Sequence, residues 1–87
     1  MRASHILVAT LNEAVALKNQ LNEGADFAAL AQANSQCPSS ARGGDLGEFG
    51  PGQMVQPFEQ ATMATAIGAI SQPVQTQFGY HLIHRTG

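Results

Sequence analysis

Two stretches at opposite ends of the chain pattern as strands, and each carries a histidine where an apolar residue is expected. "ASHILVA", residues 3–9, is a short apolar run of strand length with His5 inside it. "GYHLIHR", residues 79–85, places Tyr80, Leu82 and His84 on one face of a strand and His81, Ile83 and Arg85 on the other. His5 and His81 therefore both fall in mid-strand, one near each end of the chain.

Between them the period changes. After a first strand over about Arg2–Ala9, "TLNE" reads as a capping box in which Thr10 caps free amides and Glu13 reaches back. Ala14, Leu17 and Leu21 follow at helical spacing, and Gly24 supplies a stop. Asp26 caps a second short helix whose Phe27, Leu30 and Ala31 face one way. From Asn34 to Gly52, "NSQCPSSARGGDLGEFGPG" is rich in Gly, Pro and Ser and predicts a long loop, with a short strand in "DLGEF". "QPFEQATMATA" predicts a helix with Pro57 in its first turn and Gly68 beyond its end. "SQPVQT" predicts a short strand that Pro73 confines to a sheet edge, and "QFG" turns the chain into the last strand, Gly79–Arg85. The order β, two helices, loop with a short strand, helix, β, β lacks the regular alternation of a parallel fold. It predicts an α+β class built on a small antiparallel sheet.

Composition narrows the function. Eighty-seven residues suffice for one domain, taken as residues 1–87, and a hydrophobic fraction of 44% suffices for one core. Net charge is −2, and Arg2, Lys18, Arg42 and Arg85 are well separated, so the basic stripe of a nucleic-acid binder is missing. No apolar run approaches the roughly 18 residues of a membrane span. The single cysteine, Cys37, excludes an internal disulfide and fits a reducing compartment. The chain enters its first strand at once, without the apolar stretch of a signal peptide, so the expectation is a soluble, cytoplasmic monomer.

Candidate chemistry is sparse. His5, His81, His84 and Cys37 are metal-ligand types, but no pair has a ligand spacing, and His81 and His84 point to opposite strand faces; no metal site is expected. Cys37 beside Pro38 reads first as a loop residue rather than a nucleophile. "RGGDLGEFGPG" has neither the lysine nor the helix start of a phosphate cradle, so its glycines read as turn formers. One strand histidine alone is best read as a satisfied core residue. Two, in the first and last strands, meet across the ladder if those strands are neighbours. Together with Thr76 or Cys37 they would form a polar floor, with Leu46, Met54, Phe58 and Phe78 as apolar walls, which is the form of a default binding pocket.

Taken together, the blocks "ASHIL", "GGDLGEFGPGQMVQPFEQA" and "TQFGYHLI" resemble those of the parvulins, a small family of peptidyl-prolyl cis–trans isomerases, over nearly the whole chain, Arg2 to Arg85. The resemblance implies a four-stranded antiparallel sheet surrounded by helices, a parvulin/FKBP-like roll, with the first and last strands adjacent at its centre. His5 and His81 would then share a hydrogen-bond network beneath the substrate. Cys37 falls where parvulins carry Cys or Asp, Thr76 matches the hydroxyl that supports the histidine pair, Leu46, Met54 and Phe58 fall on the proline-pocket wall, and Phe78 falls on its rim. The implied catalytic set is His5, Cys37, Thr76 and His81, with Leu46, Met54, Phe58 and Phe78 holding substrate and no cofactor required. Implied partners are proline-containing peptides and unfolded protein clients. The alternative is a peptide-binding or chaperone module that keeps the pocket and does not catalyse.

One departure is informative. Phospho-specific parvulins carry a basic cluster in a long loop after the first strand. Here that loop is only "ATL", and the chain has no Trp with which to build the companion WW module. The resemblance is therefore to the minimal, non-phospho type.

Overall fold

The computed structural model describes residues 1–87. The elements follow in the order β1 (Arg2–Val8), α1 (Leu11–Asn22), α2 (Phe27–Asn34), a 3-10 turn (Pro38–Arg42), β2 (Asp45–Glu48), α3 (Gln56–Ala64), β3 (Val74–Thr76) and β4 (Gly79–Arg85). The strands form one antiparallel sheet in the order β2-β1-β4-β3, so the first and last strands are its centre. The expected α+β class and four-stranded sheet are what the chain adopts.

The two sheet faces bury different cores. Ile6, Val8 and Leu82 point toward α1 and α2 and pack with Ala14, Leu17, Phe27 and Ala31. Ala3 and Ile83 point the other way and pack with Phe49 and Phe58 beneath α3. The period-2 alternation of β1 and β4 therefore separates a helix-covered face from the face that carries His5 and His81. His84 lies on the helix side, its ring 5.4 Å from that of Phe27, as its opposition to His81 requires.

Helix ends follow local chemistry. Thr10 Oγ1 accepts the Glu13 N–H and donates to the Glu13 carboxylate, so Glu13 reaches back to the cap's hydroxyl rather than to its backbone N–H. Asp26 accepts the Ala29 N–H at the start of α2. The α3 helix stops at Ala64, short of the expected 66, and Thr65 rather than Gly68 terminates it. A group on β4 holds that end: the Thr62 carbonyl accepts the Thr65 N–H, and the Arg85 guanidinium donates to the carbonyls of Thr62, Met63 and Thr65.

Other boundaries shift as well. β1 ends at Val8, and β2 ends at Glu48, leaving Phe49 to the core. β3 is only Val74–Thr76. The segment before it is irregular but stays on β4, through an Ile70–His84 bridge and a Ser71 N–H bonded to the Ile83 carbonyl. The loop from 34 to 52 holds a 3-10 turn that its Pro and Gly content did not suggest.

Candidate active site

The central pairing places the two histidines diagonally. Leu7 lies opposite His81, and His5 opposite Ile83, so the imidazoles point to the same face two residues apart in register. Their Nδ1 atoms are 2.9 Å apart. Thr76, on the edge strand β3, pairs with Gly79 at the β4 start, and its Oγ1 is 2.7 Å from His81 Nε2. The same oxygen accepts the Phe78 N–H at 3.2 Å. A hydroxyl, two imidazoles and a rim amide thus form one continuous chain.

Phe58 closes the other side. Pro57 and Val55 start α3 so that Phe58 turns inward, 3% exposed. Its ring stands nearly perpendicular to both imidazoles, with centroids 5.5 Å from His5 and 5.2 Å from His81. Both histidines are buried. Burial pushes the His81 imidazole down to about 4. The same burial, with the neighbouring His81 as a second cause, takes His5 to about 4. At neutral pH the pair is uncharged.

Above the pair opens a cavity of about 460 Å³, lined by His5, Leu7, Gln36, Cys37, Pro38, Leu46, Gln53, Met54, Val55, Phe58, Phe78 and His81. Seven of the eight residues selected from sequence reach this cavity. The eighth, Thr76, stands behind His81 as a support. Cys37 is half-buried in the wall, immediately before the 3-10 turn, and Phe78 is an exposed rim residue. Sequence reasoning passed over Leu7, Gln36, Pro38, Gln53 and Val55. Leu7 was readable, since it follows His5 by two in a strand; the others flank Cys37 and Met54 in irregular backbone. A second groove of about 430 Å³, between α3 and residues 65–74, shares no residue with this cavity and is lined by no titratable side chain.

Such an arrangement defines a class: a small α+β domain with an apolar cavity over a neutral, hydrogen-bonded imidazole pair. Comparison with known proteins sharpens it. The family model of the rotamase, or PPIC-type PPIase, domain matches residues 5–87, and the chain belongs to this family of peptidyl-prolyl isomerase domains. It is 52% identical over 87 residues to the foldase protein PrsA of Geobacillus sp. (strain WCH70), covering 99% of this chain and 32% of that protein. It is 54% identical over 67 residues to the peptidyl-prolyl cis-trans isomerase Pin1 of Digitalis lanata, covering 77% of this chain and 57% of that one. Among solved structures, NmPin, the parvulin of Nitrosopumilus maritimus, superposes with a TM-score of 0.88 at 42% identity, covering 100% of this chain and 95% of that one. The chain spans about a third of the length of the PrsA foldases it matches.

Proposed function

We propose that this domain catalyses cis–trans isomerisation of X–Pro bonds in peptides and unfolded protein clients, by a non-covalent route. The observation that carries the proposal is the cavity: apolar walls over a floor that is polar but uncharged.

The barrier to X–Pro rotation, roughly 18–20 kcal/mol, comes from amide resonance. Water bonded to the carbonyl favours the planar, charge-separated amide, so removing that water favours the twisted form. An acceleration of about 10⁴ requires only about 5.4 kcal/mol. Leu46, Met54, Phe58 and Phe78 hold the proline ring and exclude water. His5 and His81 keep the floor fixed, Thr76 fixes His81, and Cys37 flanks the carbonyl. The lone, unpaired Cys37 fits a reducing compartment such as the cytoplasm, for which cell fractionation is the test; work as a monomer is proposed alongside it, and sedimentation is its test.

A protease-coupled isomerisation assay across a panel of X–Pro peptides tests the central reading. Turnover above the uncatalysed rate on at least one peptide is expected. Rates equal to background on every peptide would leave only the peptide-binding alternative.

A further inference from the structure

Glu59 is the one carboxylate of α3, and the isomerase reading gives it no role. It stands half-buried in the first turn of the helix, whose start has no side-chain cap. Its Oε1 instead accepts the Gly52 N–H at 2.7 Å, seven residues back along the chain.

Gly52 belongs to a turn whose type is legible in its backbone. The Gln53 N–H donates to the Gly50 carbonyl at 3.3 Å, Pro51 takes the second position, and Gly52, at φ +83°, takes the third. These are the marks of a type II turn, in which the third residue needs a positive φ. Type I differs chiefly by a flip of the central peptide, here Pro51–Gly52, which reverses the direction of its N–H. Glu59 holds that N–H and so selects between the two forms. Packing does not make the choice, because a Cβ on Gly52 would meet nothing within 4 Å.

The turn leads straight into the cavity wall. Gln53, Met54 and Val55 follow Gly52, and all three line the cavity. Gln53 Oε1 accepts the Gly50 N–H at 2.8 Å, so a wall side chain closes the turn that Glu59 anchors. The Glu59 N–H donates to the Val55 carbonyl at 3.0 Å. One residue of α3 therefore ties both ends of the segment 52–55.

We propose that Glu59 is a positioning residue for substrate binding: its carboxylate fixes the Gly50–Gln53 turn in the type II form and thereby holds Gln53 and Met54 at the mouth of the cavity. The effect falls on affinity rather than on rotation of the bound imide, since the imidazole floor makes no contact with the clasp. The inference rests on the isomerase reading for the identity of the substrate, and binding measured apart from turnover distinguishes the two.

The test combines amide hydrogen exchange at Gly52, titration with a blocked Ala-Leu-Pro-Phe peptide followed by NMR, and steady-state kinetics on the intact chain. Glu59→Ala is expected to speed Gly52 exchange about tenfold and to raise Kd and KM about fivefold with kcat unchanged. Glu59→Gln, which keeps an acceptor oxygen, is expected to restore both. Gln60→Ala, on the exposed next position of α3, is expected to change neither. Gly52→Ala keeps the amide, meets no neighbour and penalises only the positive φ; it is expected to raise Kd in the same direction. A folded Glu59→Ala with unaltered exchange or Kd overturns the proposal. So does a loss confined to kcat, a failure of Glu59→Gln to restore the exchange rate, or an equal effect from Gln60→Ala. If Glu59→Ala does not fold, an unchanged Kd in Gly52→Ala overturns it. A wild type that binds the peptide, weakens in Glu59→Ala and turns nothing over removes the isomerase reading and leaves the Glu59 clasp standing; a wild type that does not bind the peptide overturns both.

Discussion

Phe58 stands perpendicular to both imidazoles and is almost fully buried, so it is at once the wall of the cavity and the lid on its floor. Truncating it to Ala, or truncating the partly buried Met54 beside it, removes grip on a proline ring. A fall in kcat/KM of at least tenfold, about 1.4 kcal/mol, is the expected result in a peptide assay. Cys37 calls for the opposite expectation. Nucleophilic attack needs a base to take the thiol proton, yet the Cys37 sulfur is hydrogen-bonded to neither imidazole, and His81 is committed to Thr76 and to His5. Cys37→Asp, checked by circular dichroism for folding, should keep a substantial share of wild-type activity; a folded variant with only background turnover would revive a covalent route. The histidine pair sets a third expectation. Both imidazoles are lowered from 6.5 to about 4 in the fold, so on acidification the unfolded chain takes up protons first. Their neutral burial costs nothing above about pH 6.5 and costs progressively more as pH falls toward 4. Denaturant titrations from pH 7 to pH 4 should show a loss on the order of 3 kcal/mol from each histidine of the pair. The same loss should be largely absent in a folded His5→Asn, His81→Asn double variant.

Elements bring these residues together, and the tightest junction is between β1 and the 3-10 turn. Gly44 adopts φ +85° and would place a Cβ against backbone, whereas Gly47, at φ +69°, faces open space. Gly47→Ala carries only the left-handed penalty, about 1 kcal/mol. Gly44→Ala adds a backbone displacement at His5 and should cost about 3 kcal/mol. Urea denaturation of the two variants reads this difference directly, and equal losses would show that the junction yields. The contrast also marks what the sequence made legible. The alternation in β1 and β4, the Thr10–Glu13 box and the Asp26 cap are local patterns, and each produced the element it predicts. The 3-10 turn, the early end of α3 and the irregular approach to β3 are held by distant partners: Gly44 by His5, the α3 carbonyls by Arg85, and Ser71 by Ile83. No local period encodes such contacts. For the site, residue types and a family resemblance selected side chains that gather around one cavity, but the diagonal register that joins His5 to His81 emerges only from strand pairing.

At the scale of the whole molecule, the placement of charge bears on the substrate. The cavity lining carries no Asp, Glu, Lys or Arg. Of the four basic side chains, Arg85 is committed to the end of α3 and Arg2 lies 3.8 Å from Asp45. Lys18 belongs to α1, which covers the opposite sheet face, and is bonded to Asn22. Only Arg42 remains near the cavity wall, exposed at the end of the turn that follows Cys37. A phosphate before proline brings about −1.5 to −2 charges and is recognised by clustered, bidentate cations. One exposed arginine is a weak match for it, and Glu48, at the end of the following strand, adds charge of the wrong sign. The net charge of −2 also gives no long-range attraction for an anionic peptide. Paired peptides that differ only in phosphorylation of the residue before proline should therefore be turned over with kcat/KM values within tenfold of each other, the plain one favoured. Raising salt should narrow the gap, since any disfavour of the phosphate is electrostatic. A phosphopeptide turned over a hundredfold faster than its plain counterpart would mean that Arg42 recruits further cations on binding, and that the short loop after β1 does not decide the preference.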